Sequence, residues 1–566
     1  APTKADSTQT CYVAPIQPLE KLLANIWAEV LHVERVGLTD NFFDLGGDSI
    51  RALQIIARLR QQKYQIEMKD LFQNPTIAQL VSLLRPLTAM DQQELVTGKA
   101  ELTPIQRWFF SQDFTDAHHW NQSIMLYREE GWNPDWVQLV FRKLVEHHDA
   151  LRMSYQLDPS ADGHVLQQIQ SPDRPIFTFE QIDLRQETKV KERVKAEANR
   201  LQRKNRLFGG TLIQLGLFRT TDGDHLLIVI HHTLIDAVSW RILLEDFALA
   251  YQQLAHGKEI VLPAKTHSYQ SWGAALQNAA NQNVFLKEIE YWKEQEKLPC
   301  NQLPKRKQLR EPCRFQHMAS LNMQLSSVKT QQLLSEVHHA YNTEVQDLLL
   351  TALAQAIHSW TNTNNVPVLL EGHGRESWTN QLDLSRTIGW FTSIYPVVLR
   401  IDEVSISALI KSIKEQLRRI PKRGLGYGVL KYLTSPENKK DLTFRIKPEI
   451  SFNYLGQFAS TDEIMLSEMP MGETISPASE VLTPLEFTCL VINDCLQISF
   501  RYDAREFEKQ QMKTLLTQYK TFLLDIIEHC LEKEETEQTP SDFTAQDALT
   551  QEELEDLFEV LEENSK

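Results

Sequence analysis

The pattern of apolar residues changes near residue 100, and this change limits the possible folds more than any other feature of the chain. Between residues 19 and 86, apolar residues recur at helical spacing in short segments. From about 101 to 530, strand-like runs alternate with helical stretches. Examples, in chain order, are the strand-like 226–230, the helical 331–340 and 347–360, and the strand-like 396–400. A mixed block of this length exceeds one ordinary core, so we expect it to form two lobes.

These patterns predict an α+β multidomain protein. Proline-containing polar stretches separate its parts, and one such stretch, 299–315, is expected to connect the two lobes. The predicted segments are a linker (1–18), a small four-helix bundle (19–86), a second linker (87–100), an N-terminal lobe (101–300), a C-terminal lobe (301–533) and an acidic tail (534–566).

Charge and cysteine content exclude several classes of function. The net charge of −16 argues against a nucleic-acid partner, and residues 531–566 alone hold 13 acidic residues against 2 lysines, a net charge of −11. No apolar run reaches the ~18 residues of a membrane span, and no signal-peptide pattern occurs. The six cysteines form no CxxC pair, so we expect neither a disulfide framework nor a metal site. We therefore expect a cytoplasmic protein without nucleic-acid or membrane partners.

A turn-rich loop delivers Ser49 to the start of an amphipathic helix. Gly46 and Gly47 permit a tight turn and the close approach of another molecule. Because a helix N-terminus offers free N–H groups and a positive dipole, it tolerates a phosphate group. The pattern fits a serine that carries a phosphodiester, although a serine here can also be a simple helix cap.

Two adjacent histidines follow the apolar strand 226–230. In His231-His232-Thr233-Leu234-Ile235-Asp236 the spacing differs from the helical i, i+4 spacing of common zinc sites. One histidine can instead serve as a base or acid near neutral pH, with Asp236 fixing the local geometry. Two satisfied polar residues at a strand end remain an equal alternative.

The acidic tail contains a short helix pattern at 550–563. Thr550-Gln551-Glu552-Glu553 has the form of a capping box, and apolar residues follow at i, i+3, i+4 and i+7. An isolated helix of this length is marginal in water, so we expect it to dock on another surface. A solvated tail that only aids solubility is the alternative.

Several motifs resemble those of one family. The string Asp44-Leu45-Gly46-Gly47-Asp48-Ser49 resembles the 4′-phosphopantetheine site of peptidyl carrier domains, and His231-His232-x3-Asp236 resembles the signature of the condensation-domain superfamily of nonribosomal peptide synthetases. Further strings resemble the epimerization branch and occur in its order: 104–109, 371–376, 386–392, 424–428 and 452–458. The resemblance implies a carrier–epimerization didomain whose two lobes have the chloramphenicol-acetyltransferase-like fold and surround a tunnel.

The resemblance also implies an activity. It is the epimerization of the α-carbon of a carrier-bound L-aminoacyl thioester, by resemblance phenylalanyl, to the D form in antibiotic biosynthesis. Condensation-type acyl transfer on the same fold is the alternative, but condensing relatives have Asp-Gly where this chain has Asp236-Ala237. The implied cofactor is 4′-phosphopantetheine on Ser49. The implied partners are an upstream adenylation domain, a phosphopantetheinyl transferase and a downstream synthetase that binds the tail helix.

The resemblance implies that His232 and Glu371 are a pair of bases, or one base and one positioning group, and by family position His232 faces the tunnel. His231 supports the loop, and Asp236 orients it through Arg375.

Asn453 and Tyr454 are candidates for positioning or proton relay. Three alternatives stay open at this stage: Glu371 pairs with Arg375, Trp390 and Phe391 belong to the core rather than the tunnel wall, and the glycines of 424–428 only shape a turn.

Overall fold

The computed structural model describes residues 12–31, 33–47, 49–86, 95–159, 164–307, 309–376, 378–379, 382–403, 405–439, 441–458 and 465–543, with backbone alone at 49, 50, 53, 69 and 458. The predicted tail helix at 550–563 and Asp48 lie outside these residues. In the described part of the chain, no helix combines the length and apolar character needed to cross a bilayer.

The N-terminal bundle forms around Trp27 and Phe42, which are both fully buried with their ring centroids 5.3 Å apart. Its last α-helix is short, because the chain tightens into a 3-10 turn at 81–83. The elements are α1 (Pro18–Leu31), α2 (Ser49–Gln61), β1 (Tyr64–Gln65), α3 (Met68–Gln73), α4 (Ile77–Leu80) and β2 (Arg85–Pro86).

The described residues of the first lobe form two sheets and helices α5 to α10. Strands β8 and β9 read as nearly continuous apolar runs because both of their faces are buried. The elements are β3 (Gly98–Ala100), α5 (Pro104–Ser111), β4 (Asn121–Arg128), α6 (Pro134–His147), β5 (Met153–Leu157), β6 (Val165–Ile169), β7 (Phe177–Asp183), α7 (Val190–Gln202), β8 (Ile213–Thr220), β9 (Gly223–His231), α8 (Ala237–Ala255), α9 (Tyr269–Asn281) and α10 (Ile289–Lys297).

The second lobe is built on one six-stranded sheet in the order β10-β16-β15-β13-β11-β12. Strand β15 alternates buried and half-buried residues, as expected for a strand with one face on the core. The elements are β10 (Met318–Gln324), α11 (Ser327–Gln331), α12 (Val345–Thr361), β11 (Asn365–Gly372), β12 (Ser393–Arg400), α13 (Ile406–Arg418), α14 (Leu425–Tyr432), β13 (Ile450–Phe458), β14 (Met465–Leu466), β15 (Leu485–Ile492), β16 (Cys495–Asp503) and α15 (Lys509–Glu532).

Strand β14 leaves the second lobe and joins the sheet of the first. That sheet has the order β14-β4-β9-β8-β7, and Met465 and Leu466 pair with Tyr127 and Leu126. Farther along, the amide of Asn121 donates to the carbonyl oxygen of Thr474 at 2.8 Å. The lobes are therefore joined by main-chain hydrogen bonds as well as by side chains.

Two segments predicted as irregular belong to the lobes. Residues 98–100, expected to be linker, form strand β3 and pair with Gln167–Ile169. Residues 534–543, expected to be tail, include a 3-10 turn at Pro540–Asp542 whose Asp542 carboxylate lies 2.6 Å from the ammonium of Lys414. Strand β3 is held by main-chain pairing and the 540–542 turn by a polar contact. Neither kind of interaction leaves an apolar pattern in the sequence.

Two other local predictions need correction. The helix predicted over 331–340 breaks after α11 into a π turn at 332–336 and a 3-10 turn at 338–340, and the wider π turn lets adjacent Leu333 and Leu334 both face the core. The glycine string 424–428 opens helix α14 instead of only shaping a turn, since only Gly424 has a left-handed conformation (φ +79°).

Candidate active site

A cavity of about 380 Å³ lies between the two lobes. Its wall includes residues of β4 and of the β9–α8 loop on one side, and of β11, β13, β15 and β16 on the other. The predicted site residues in this wall are His232, Asp236, Glu371, Asn453 and Tyr454. Arg375, the remaining predicted catalytic residue, is buried behind Asp236.

His232 stands at the end of the central strand of the first lobe. Strand β9 ends at His231, and a 3-10 turn at His232–Leu234 leads into α8. The Nδ1 atom of His232 lies 3.0 Å from the carbonyl oxygen of Ile235, and its Nε2 lies 2.8 Å from the side-chain nitrogen of Gln122. Burial lowers the pKa of His232 below its ordinary value, so the ring is neutral near pH 7.

His231 points away from the cavity into the first lobe. Its Nδ1 contacts the hydroxyl of Thr233 at 2.8 Å, and its Nε2 contacts the carbonyl oxygen of Ala117 at 2.8 Å. Complete burial lowers the pKa of His231 to about 3. With both nitrogens engaged, His231 holds the loop in place and has no nitrogen left for a substrate.

The expected contact between Asp236 and Arg375 is present. Nη1 of Arg375 donates to Oδ2 of Asp236 at 2.8 Å, and Nη2 donates to the hydroxyl of Ser239 at 2.9 Å. Oδ1 of Asp236 accepts the amide of Ser239 at 2.8 Å and so caps helix α8. The guanidinium also stacks 4.0 Å from the ring centroid of Phe391.

Glu371 does not use Arg375 as its partner. Its Oε2 accepts a hydrogen bond of 2.8 Å from the side-chain nitrogen of Asn453 on the neighbouring parallel strand. Burial, and then repulsion by Glu486, raise the pKa of Glu371 to about 7. The carboxyl group of Glu371 can therefore hold or release a proton near neutrality.

Trp390 and Phe391 differ in position. Trp390 lines the cavity, and its ring centroid lies 4.5 Å from that of His232. Phe391 is packed against Arg375 and Tyr269 instead.

Glu486, Arg501 and Gln122 also belong to the cavity wall and were not among the predicted site residues. Glu486 pairs with Arg501 at 2.5 Å across neighbouring strands β15 and β16, and Gln122 contacts His232. A lone polar residue inside a strand carries no sequence signal of its own. The alternation of apolar residues along β15 could have predicted that Glu486 lies on the face of the strand away from the core. It could not have predicted that this face lines the cavity.

The N-terminal bundle adjoins one end of the cavity. The guanidinium of Arg423, a residue of the cavity wall, lies 5.6 Å from the ring centroid of Phe72 in α3. Nη1 of Arg60 in α2 lies 2.5 Å from Oδ2 of Asp383 in the second lobe. Helix α2 begins at Ser49, as predicted, so the residue expected to carry the cofactor belongs to a helix docked on the lobes.

One group of side chains in the described residues has the composition of a metal site. The ligand atoms of His147, His148 and Asp246 lie within 4.8 Å of one another, outside the cavity. His148 already contacts one carboxylate oxygen of Asp246 at 2.9 Å, and Arg386 donates to the other. These partners satisfy Asp246 without a metal ion.

Comparison with known proteins identifies relatives along nearly the whole chain. A family model described as "Condensation domain" matches residues 96–549, and one described as "Phosphopantetheine attachment site" matches residues 21–84. Surfactin synthase subunit 1 of Bacillus subtilis (strain 168) is 45% identical over 97% of this chain, and gramicidin S synthase 1 of Brevibacillus brevis is 41% identical over 97%. The chain spans only 15% and 51% of these two relatives.

A solved structure shares the same fold. The crystal structure of the epimerization domain from the third module of tyrocidine synthetase B superposes with a TM-score of 0.76 at 43% sequence identity. The match covers 79% of this chain and 100% of that one. The two-lobed, chloramphenicol-acetyltransferase-like architecture expected from the sequence is thereby confirmed.

Proposed function

The chain belongs to the condensation-domain family of nonribosomal peptide synthetases and carries a phosphopantetheine attachment domain, and from this premise we propose that it epimerizes the α-carbon of an aminoacyl thioester held on Ser49. The reaction removes the α-proton on one face and returns a proton on the other. It therefore needs two proton-transfer groups and a stabiliser for the enolate oxygen.

One observation carries this proposal. His232 of the first lobe and Glu371 of the second line the same cavity. Burial lowers the pKa of His232 below 6.5, which keeps the imidazole neutral and able to accept a proton, and raises that of Glu371 to about 7, which lets the carboxyl hold a proton near neutrality. A general acid is most effective when its pKa lies near the working pH, as that of Glu371 does.

The proton transfers follow from these positions. With the imidazole neutral and the carboxyl protonated, His232 takes the α-proton and Glu371 delivers a proton to the opposite face. The reverse reaction exchanges the two roles. Asn453 holds the Glu371 carboxyl by its 2.8 Å hydrogen bond, and Asp236 with Arg375 holds the loop of His232. Tyr454, in the same wall, is a candidate relay.

The residues around Ser49 fit a phosphopantetheine arm. A helix N-terminus follows a tight turn with Gly46 in a left-handed conformation (φ +84°), and helix α2 is 13 residues long. The arm supplies reach and a thioester linkage that makes the α-proton more acidic. Arg423 and Phe72 mark the end of the cavity nearest to the bundle.

The substrate and partners are further parts of the proposal. Trp108, Trp120 and Trp390 line the cavity and suit a large aromatic side chain, in agreement with the phenylalanyl group inferred by resemblance. An upstream adenylation domain selects the amino acid, a phosphopantetheinyl transferase loads Ser49, and a downstream synthetase receives the product. These steps take place in the cytoplasm.

The test is direct. We expect the chain, loaded with an L-aminoacyl pantetheine group in D2O, to incorporate deuterium at the α-carbon and to approach a mixture of D and L forms. Ser49→Ala should fold but accept no pantetheine, since a lost cap costs about 1 kcal/mol. A new amide without inversion, after an acceptor amine is supplied, would support condensation instead.

A further inference from the structure

Gln122 links the proposed base to a fixed anchor in the first lobe. Its side chain extends from strand β4 into the cavity wall, between Trp240 and His232. The indole nitrogen of Trp240 lies 2.7 Å from Oε1 of Gln122, and Nε2 of Gln122 lies 2.8 Å from Nε2 of His232. The far side of the imidazole is held by the carbonyl oxygen of Ile235, 3.0 Å from Nδ1.

The hydrogen bonds from Trp240 through Gln122 to His232 can have only one set of directions. An indole N–H is a donor only, so the oxygen of the Gln122 amide must face Trp240. The amide nitrogen then faces His232 and donates, which requires a lone pair on Nε2. The hydrogen of the neutral ring is therefore on Nδ1 and points to Ile235. Trp240 and Gln122 together select the tautomer that a base needs.

The amide nitrogen of Gln122 has two hydrogens, and only one of them is used by His232. Among the described residues, the side-chain hydrogen bonds found for Gln122 are those to Trp240 and His232. A second N–H therefore remains beside the atom to which the α-proton must move. The proposed epimerization still lacks a group that stabilises the enolate oxygen, and such a group must be a donor at this place.

We propose that Gln122 is a catalytic residue whose side-chain N–H donates to the carbonyl oxygen of the thioester while His232 removes the α-proton. This inference rests on the proposed function. The carbonyl oxygen is only three bonds from the α-hydrogen, so a substrate with its α-hydrogen at Nε2 of His232 brings that oxygen close to the amide. The substrate replaces the resting contact between Gln122 and His232, while Trp240 keeps the amide oxygen in place.

The step balances. The bond between the α-carbon and its hydrogen breaks, its electron pair moves into the carbonyl as an enolate, and the proton forms the imidazolium of His232. On the opposite face, the carboxyl O–H of Glu371 breaks and a new C–H bond forms, leaving the carboxylate. The charged or titratable groups that act electrostatically on this pair include Asp236 and His231 for His232, and Glu486 for Glu371.

Substitutions at two positions test the role of Gln122. Gln122→Ala should slow both inversion and α-hydrogen exchange about 100- to 1,000-fold, the usual effect of losing one oxyanion donor. In Gln122→Glu a carboxylate that accepts hydrogen bonds replaces the amide that donates them, so inversion and exchange should be as slow as in Gln122→Ala. The negative charge should also raise the pKa of His232 and move the acid limb of the pH–rate profile to higher pH. Trp240→Phe, which frees the amide to rotate, should have a smaller effect in the same direction.

Controls separate this inference from the proposed function. Pantetheine loading at Ser49 should be normal in every variant, and Ser123→Ala on the same strand should keep the full rate. If Gln122→Ala loses its fold, Gln122→Met fills the same space and decides the question. Wild-type rates and an unchanged pH profile in the Ala (or Met) and Glu variants would overturn the role of Gln122 alone. Absence of α-hydrogen exchange in the wild type would overturn the proposed function itself.

Discussion

Nη1 of Arg375 lies 2.8 Å from Oδ2 of Asp236, and this ion pair connects the second lobe to the loop that carries His232. Both side chains are almost completely buried, with 0% and 5% of their surfaces exposed. The same carboxylate accepts the amides of Ser239 at 2.8 Å and Phe391 at 3.0 Å. Asp236 is thus bonded to groups on both sides of the cavity.

The ion pair makes a prediction about stability. Asp236→Ala leaves the guanidinium of Arg375 buried without its counter-charge, so it should lower the free energy of unfolding by about 3–5 kcal/mol, measured in urea. Asp236→Ala combined with Arg375→Met removes both charges and should recover much of that loss without restoring epimerization. A double variant as unstable as Asp236→Ala would contradict the role of the unpaired charge.

The two adjacent histidines should respond differently to substitution. His232→Ala removes a proposed base from the cavity and should slow inversion about 10²–10⁴-fold with little change in stability. His231→Ala leaves the carbonyl oxygen of Ala117 without its buried partner and should cost about 1–3 kcal/mol. Unfolding and exchange are measured on both variants. Equal losses of rate at normal stability would show that the two histidines share the chemistry.

The pH dependence of the rate should follow Glu371. Its pKa of about 7 sets the alkaline limb, because the delivering carboxyl must be protonated. The negative charge of Glu486 contributes to this high pKa, so Glu486→Gln should lower it and move the alkaline limb to lower pH. If the alkaline limb of the pH–rate profile is unchanged in Glu486→Gln, a group other than Glu371 controls it.

The same group affects stability in a predictable direction. The pKa of Glu371 is raised from 4.5 in the unfolded chain to about 7 in the folded one. Its contribution to folding is therefore fully present below pH 4.5 and is lost as the pH rises through 7. The difference in unfolding free energy between wild type and Glu371→Gln should change over this window.

The contact between the bundle and the second lobe should be sensitive to charge. Arg60→Glu places a carboxylate against Asp383, so inversion of the tethered substrate should slow several-fold. Asp383→Arg in the same chain should restore the rate, and added salt should reduce the difference between the variants. If the double variant remains slow, the ion pair does not position the bundle.

Two truncated chains test whether the tail is dispensable for epimerization. A chain ending after Phe543 keeps the contact between Asp542 and Lys414 and should epimerize at the normal rate, yet fail to pass its product to a downstream synthetase. A chain ending after Gln538 leaves the ammonium of Lys414, which is 1% exposed, without its carboxylate. That chain should lose about 3–5 kcal/mol of stability. Normal product transfer by the first chain would rule out docking through the tail.

Apolar periodicity predicted the correct type of element for some segments of the chain and not for others. It predicted the helix 347–360 and the strand 226–230, which lie within α12 and β9, because those segments bury one face or both faces in a core. It missed strand β3, whose role depends on main-chain pairing. It also placed 534–543 in the tail, because the contact between Lys414 and Asp542 is polar.

The sequence predicted some residues of the candidate site but not the contacts between them. Motif resemblance brought His232 and Glu371 together from distant parts of the sequence, and both are in one cavity wall. It could not give the partner of Glu371, because the hydrogen bond to Asn453 requires that β11 and β13 lie side by side. Gln122 was invisible because its importance comes from two distances, to Trp240 and to His232.

Strand β14 has a consequence for the kind of molecule that can reach the cavity. Opening the lobes like a hinge would require breaking its pairing with Tyr127 and Leu126, together with the main-chain bond from Asn121 to Thr474. These main-chain hydrogen bonds close one side of the cavity between the lobes. A substrate is therefore expected to enter from the ends of the cavity. Such an arrangement suits a slender group on a long flexible stalk better than a bulky folded substrate.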